Sequence, residues 1–189
     1  MVLVMKVLGI CGSPRKGANT EYTLNFTLNE LKTMGFETEA VLLSEKEVKF
    51  CNHCGKCLEG KECPIKDSAR EIFEKMQLAD AIIVASPVYY VGVSAQIKAL
   101  FDRSLMIRGK LKGKVGGAIA VGQARNGGQE IVCEQIINWM LTHEMKIVPM
   151  RFGGMLVGSM KELEAVKRDE VGLNSCKNLA KKIAEALQK

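Results

Sequence analysis

The chain has 189 residues, a formal charge of +6, 47% hydrophobic residues and 25% charged residues. That composition gives enough core to fold without disulfide or metal staples and excludes a disordered chain. Aromatic residues are only 5% with a single tryptophan, Trp139, which leaves no stacking platform for single-stranded nucleic acid. No apolar run approaches the roughly 18 residues of a membrane span.

In chain order, residues 3–11 form an apolar run with little alternation, the pattern of a strand buried on both faces in a parallel sheet. No basic segment precedes the run, so it is read as a first strand and not as a secretory leader, and the chain as a cytoplasmic protein. Gly12-Ser13-Pro14-Arg15-Lys16-Gly17-Ala18-Asn19-Thr20 follows, with Asn19 or Thr20 able to cap a helix. That helix carries Leu24, Leu28, Leu31 and Met34 on one face, and Gly35 closes it. A second strand covers Glu37–Leu43. After a loop over about 44–67, Ser68 and Glu71 have capping-box spacing and open a helix to Leu78.

Ala81–Ala85 is a third strand, broken at Ser86-Pro87-Val88-Tyr89-Tyr90-Val91-Gly92. A helix from Ser94 presents Ile97, Leu100, Phe101 and Leu105. Residues 114–121 form a fourth strand that runs into Gly122–Gly128, and the next helix buries Val132, Ile136, Trp139 and Met140. A last strand falls within 146–157, where Pro149 and nearby glycines blur its limits. The final helix has a stripe of Cys176, Leu179, Ala180, Ile183, Ala184 and Leu187.

Alternating strands and helices with short connections imply a parallel sheet between helix layers. The expected fold is α/β, a flavodoxin-like three-layer sandwich formed by one domain over 1–189. Its sheet would have five strands in the order 2-1-3-4-5, with ligands at the carboxyl ends of the strands.

The loop after strand 2 holds Cys51, Cys54, Cys57 and Cys63, spaced C-x2-C-x2-C-x5-C. In a reducing compartment, such thiol density points to metal or redox chemistry. Zinc sites usually pair two C-x2-C knuckles a dozen or more residues apart, whereas successive x2 gaps are the ferredoxin pattern for a [4Fe–4S] cluster. Pro64 after Cys63 fits that pattern, but the x5 gap is longer than the usual three. A zinc site and an unmetallated redox or disulfide loop stay open beside the cluster. His53, between two of the cysteines, is expected to be a spectator, and His143 has no obvious partner. Cys11, Cys133 and Cys176 fall at core positions.

Three further loops leave strands 1, 3 and 4 at the carboxyl edge, and the cysteine loop leaves strand 2 at the same edge. The first offers hydroxyls, an amide and Arg15 just before a helix N-terminus, as suits a terminal phosphate. It lacks both G-x-G-x-x-G and the P-loop pattern, which argues against dinucleotide and nucleoside triphosphate sites. The second is stiff and aromatic and can meet a flat heterocycle. The third has backbone donors and room for close approach.

The Gly12–Thr20 loop, Ser86-Pro87-Val88-Tyr89-Tyr90 and the Gly127-Gly128-Gln129-Glu130 turn resemble the NADPH-dependent FMN reductase branch of the flavodoxin-like superfamily. With the four cysteines added, the chain most resembles the iron–sulfur flavoproteins, the likeness running from residue 1 to about 130. The resemblance implies that Ser13, Arg15, Asn19 and Thr20 hold the FMN phosphate. Pro87, Val88, Tyr89, Tyr90 and Gly92 would line the isoalloxazine and ribityl side, and Arg125, Gly127 and Gly128 would complete the site. It also implies a homo-oligomer, dimer or tetramer, that brings flavin and cluster of different subunits close.

No His/Asp/Ser constellation for hydrolysis stands out, so no catalytic side chain is assigned and the chemistry falls to FMN and a [4Fe–4S] cluster. The function expected is electron transfer from a carrier such as ferredoxin to a small oxidant: O2, hydrogen peroxide or a quinone. The basic charge suits an acidic carrier. Two alternatives are an NAD(P)H-dependent FMN or quinone reductase without a cluster, and a zinc-stabilised module without enzyme activity.

Overall fold

The structure, a computed structural model, describes residues 4–148 and 153–189. Its strands are β1 (Lys6–Cys11), β2 (Glu37–Leu42), β3 (Ala81–Pro87), β4 (Val115–Gly122), β5 (Lys146–Ile147) and β6 (Gly154–Val157). The helices are α1 (Asn19–Thr33), α2 (Ala69–Leu78), α3 (Ala95–Arg103), α4 (Gln129–Thr142) and α5 (Glu170–Leu187). All strand pairs are parallel, in the order β2-β1-β3-β4-β5, and β6 also pairs with β4.

The apolar runs explain the sheet's centre. All of β4 is buried, as is β3 up to Ser86, because helices cover both faces of these strands. On one face Leu24, Leu28 and Leu31 of α1 and Leu179, Ala180 and Ile183 of α5 pack against Val7, Ile83 and Ile119. On the other, Ile72, Phe73 and Met76 of α2, Ile97 and Leu100 of α3, and Val132 and Ile136 of α4 meet Leu8, Ile10, Ile82 and Val84. Alternate residues of each strand thus serve opposite layers, as the two-residue period of a strand requires.

The fifth-strand position differs from the sequence expectation. Lys146 and Ile147 pair with Val115 and Gly116, and Gly154–Val157 pairs with Ile119–Gly122. Two short pieces therefore share one edge of β4; Pro149 lies outside the described residues.

Three local expectations also change. Ala18, not Asn19 or Thr20, precedes α1 as its cap residue, and both of the latter sit inside the first turn. Ser68 caps α2 without a side-chain hydrogen bond. Asp67 takes that role, its Oδ1 accepting the Ala69 N–H at 3.1 Å, while Glu71 turns outward to Lys46 and Lys75. His143 does have a partner: Nε2 lies 2.8 Å from Ser104 Oγ, which also accepts the Trp139 indole N–H at 2.9 Å. Ser94 caps α3 as its position suggests, accepting from the Ile97 N–H at 3.3 Å.

Candidate functional site

At the carboxyl edge, backbone hydrogen bonds continue across the strand ends and lock the exit loops together. Gly12 N donates to Ala85 O, Val88 N to Val121 O, and Gly158 N to Gly122 O, at 2.8, 2.9 and 2.7 Å. Ser94 Oγ donates to Gly12 O at 2.7 Å, and its backbone N–H reaches Ser86 Oγ. Gly12 must be glycine for this closure, since a Cβ there would lie 2.2 Å from Ile97 Cγ1.

These loops enclose a cleft of about 430 Å³ lined by Ser13, Arg15, Ala18, Asn19, Thr20, Pro87, Val88, Tyr89, Val121, Gly122, Gln123, Gly158, Ser159 and Met160. Seven of the residues singled out in the sequence meet there: Ser13, Arg15, Asn19, Thr20, Pro87, Val88 and Tyr89. The N-terminus of α1 opens into the same space, with first-turn N–H groups that helix geometry leaves without intrahelical acceptors. Ser13 Oγ shapes the approach by accepting the Arg15 N–H at 3.1 Å.

The Asn19 amide, by contrast, is spent within the protein. Its Nδ2 donates to Ser159 O and Glu162 O at 2.9 and 2.8 Å, and Oδ1 accepts from Val166 N at 3.0 Å. The side chain holds the 159–166 segment at the cleft rim, so only its backbone is left to face a ligand. Tyr90, Gly92, Arg125, Gly127 and Gly128 do not line the cleft.

Tyr90 stands fully exposed at the tip of a tight turn closed by reciprocal Tyr89–Gly92 backbone hydrogen bonds. Tyr90 and Val91 both have positive φ there, 47° and 63°. That conformation is costly for a β-branched side chain, and such strain concentrates at ligand-binding loops. Arg125 turns away to Asp169, with Nη2 2.5 Å from Oδ1. Asp169 also accepts the N–H groups of Val157 and Gly172. Burial alone would raise its pKa, but Arg125 and the two N–H groups outweigh that and hold it below the ordinary carboxylate value. Gly127 and Gly128 support the loop from behind, where Gln129 accepts from Gly127 N and donates to Ala124 O and Leu156 O. Sequence reasoning missed Gly158, Ser159 and Met160, which reach the cleft only because β6 ends beside β4.

The cysteine loop forms a second site. Cys51, Cys54, Cys57 and Cys63 all line one hollow of about 40 Å³, walled almost wholly by apolar atoms. Cys51 and Cys54 are exposed and form its solvent side, and Cys57 and Cys63 are half-buried. Left-handed Gly55 and Gly60 bracket a 3-10 turn at Lys56–Glu59 that carries Cys57. Among the described residues no three His, Cys, Asp or Glu side chains come together as ligands of a single ion. Four thiols lining a shared hollow match in number and type the ligands of an iron–sulfur cluster. The other thiols are inert: burial pushes Cys11 and Cys176 up to about 12, and Cys133 upward also.

The rest of the hollow comes from Leu58, Ile65, Asp102, Arg103, Leu105 and Met106, with Asn52, His53 and Gly55. Apart from the loop's own residues, these neighbours come from the C-terminal end of α3 and the turn after it, not from the three loops around the cleft. The loop leaves β2 at the carboxyl edge, and its cysteines line the hollow together with Asp102 and Arg103 at the C-terminal end of α3. Hollow and cleft share no lining residue.

The NADPH-dependent FMN reductase family model matches residues 5–154. An iron–sulfur flavoprotein of Methanocaldococcus jannaschii is 47% identical over 191 residues, covering 97% of this chain and 98% of its own length. One of Methanosarcina thermophila is 45% identical, covering 97% and 96%. The crystal structure of the flavodoxin, WrbA-like protein from Agrobacterium tumefaciens superposes with a TM-score of 0.67 at 16% identity, over 98% of each chain, a likeness of fold alone. With a flavodoxin-like sheet, a cleft at its carboxyl edge and four clustered cysteines, this chain belongs to the iron–sulfur flavoprotein family, within the NADPH-dependent FMN reductase group.

Proposed function

We propose that this chain is an FMN-dependent oxidoreductase that also carries a [4Fe–4S] cluster and passes electrons from a carrier such as ferredoxin to a small oxidant. The observation that carries the reading is that all four loop cysteines line one hollow, in a chain 47% identical to an iron–sulfur flavoprotein. Cys51, Cys54, Cys57 and Cys63 would hold the cluster. Ser13, Arg15, Thr20 and the first N–H groups of α1 would take the FMN phosphate, with Pro87, Val88 and Tyr89 against the ring system. FMN supplies one- and two-electron transfer, and the cluster supplies one-electron transfer.

The chain's residues contribute position and electrostatics. Arg15 and the α1 dipole place positive potential where a phosphate dianion would sit. Pro87 and Val88 exclude water from one wall, and the strained turn at Tyr90–Val91 holds Tyr89 at the rim. Because hollow and cleft share no lining residue, a homo-oligomer that brings one copy's cleft to another's cysteine loop is part of the proposal. Purification without oxygen, with flavin, iron, sulfide and zinc measured per chain, tests it. One FMN with four iron and four sulfide, roughly, is the expected result. Zinc without iron overturns the cluster assignment, and a chain that binds no flavin overturns the whole reading. The match to the NADPH-dependent FMN reductase family favours a second reading, direct reduction of FMN by NAD(P)H. Bleaching of the flavin by NAD(P)H in a cluster-free preparation would distinguish it.

A further inference from the structure

Arg103 closes the cysteine loop on both sides. It is the last residue of α3 and is 2% exposed. Its Nη1 donates to Lys49 O at 3.1 Å, just before Cys51, and to Asp67 Oδ2 at 2.6 Å, just after Cys63. Its Nη2 donates to Asp67 Oδ1 at 3.2 Å and to Cys63 Sγ at 3.6 Å, a contact length that suits the larger sulfur atom. The Nε–H is buried with no partner among the described residues, on a residue that lines the cysteine hollow. The Asp67 carboxylate is itself buried and accepts from Lys49 N at 2.7 Å and Ala69 N at 3.1 Å.

A buried guanidinium with an unpaired donor is costly unless something anionic stands near it. Four thiolates around iron and sulfide make such an anion, and reduction adds one more negative charge. Hydrogen bonds to cluster sulfurs, net charge and exposure set the reduction potential of such groups. Asp67 offsets the cation at long range, so what reaches the sulfur is short-range, namely the N–H dipole and the near side of the guanidinium.

We propose that Arg103, held in register by Asp67, is the positioning residue of the cysteine site: it fixes Cys63 as the fourth ligand and raises the reduction potential of the cluster by an N–H···S contact. This gives a reason for the x5 gap, since the chain between Cys57 and Cys63 must swing inward to bring Cys63 under Arg103. The inference rests on the cluster reading above and adds the group that tunes it.

The test uses full-length protein prepared without oxygen. In wild type carrying guanidino-15N arginine, pulsed EPR of the dithionite-reduced cluster should show a 15N coupling. A second sample, Asp67→Asn with Arg103→Gln, replaces the ion pair with a neutral amide pair and avoids a stranded buried charge. Its cluster should keep iron and sulfide but require a lower potential. The expected change is at least tenfold in the reduced-to-oxidised ratio, about 59 mV for one electron, with the FMN potential unmoved. A cluster-loaded wild type without 15N coupling, or a loaded double variant at the wild-type potential, overturns the proposal and leaves the cluster reading intact. Wild type without iron and sulfide overturns both. If the double variant does not fold, the 15N coupling in wild type decides.

Discussion

Asn19 Oδ1 accepts the backbone N–H of Val166 at 3.0 Å across a sequence separation of 147 residues. The same amide donates to Ser159 O and Glu162 O, so one buried side chain in the first turn of α1 fastens the segment between β6 and α5. This segment brings Ser159 and Met160 to the cleft, which links the rim of the site to the fold's long-range closure.

Asn19→Ala should therefore cost both stability and ligand affinity. A buried polar group left without its partner costs about 1–3 kcal/mol. Urea unfolding should show a loss in that range or above, and FMN fluorescence titration should show weaker binding. Asn19→Asp keeps the Val166 acceptor but sets a carboxylate against two carbonyls, so it should fare no better than alanine. A variant with wild-type stability and wild-type FMN affinity would refute the tether.

The strained turn offers a test in the opposite direction. Val91 has φ 63°, and a left-handed L-residue costs roughly 1–2 kcal/mol, against about 0.5–1 kcal/mol of chain entropy for glycine. Val91→Gly should leave unfolding free energy unchanged or raise it by up to about 1 kcal/mol. FMN affinity should fall, because Tyr89 loses its rigid mount. A clear loss of stability would show that Val91's packing beside Gly128 outweighs the strain.

His143 predicts a pH dependence. Burial lowers its pKa below the ordinary 6.5, and Nδ1 has no partner among the described residues. The unfolded chain then takes up a proton near pH 6.5 that the folded chain refuses. Stability from this residue is complete above about pH 6.5 and falls as the pH drops toward the folded-state value. The slope is at most about 1.36 kcal/mol per pH unit for one proton. Denaturation curves between pH 5 and 8, in wild type and in His143→Phe, should show that slope only in wild type.

Cys54→Ala should separate cofactor loading from folding. The side chain is exposed, so the metal-free variant should unfold within about 0.5 kcal/mol of metal-free wild type. Iron and sulfide should be lost while FMN stays bound. Equal loss of FMN would show that the loop is needed to form the cleft.

The sheet was legible because its signals are local. Two-sided burial wrote Val7–Cys11, Ala81–Ala85 and Val115–Val121 as unbroken apolar runs, and the helices between them carry plain 3.6-residue stripes. The C-x2-C-x2-C-x5-C spacing and the Gly12–Thr20 loop were likewise visible as patterns of adjacent residues. Pairwise choices between distant residues were not. Asp67 replaces Ser68 at the α2 cap because Arg103, thirty-six positions later, fixes it there.

Sequence alone determined the layers, since these follow from periodicity within short windows; the alternation of strands and helices pointed to the strand order, and spacing grouped four of the cysteines. Tertiary structure decided which polar groups remain free. Arg125 and the Asn19 amide are consumed by Asp169 and the 159–166 segment, whereas Arg103, an unremarked arginine at a helix end, is brought against Cys63. A buried side chain can satisfy only so many partners, and which ones it meets is settled by packing over long separations that no local pattern encodes.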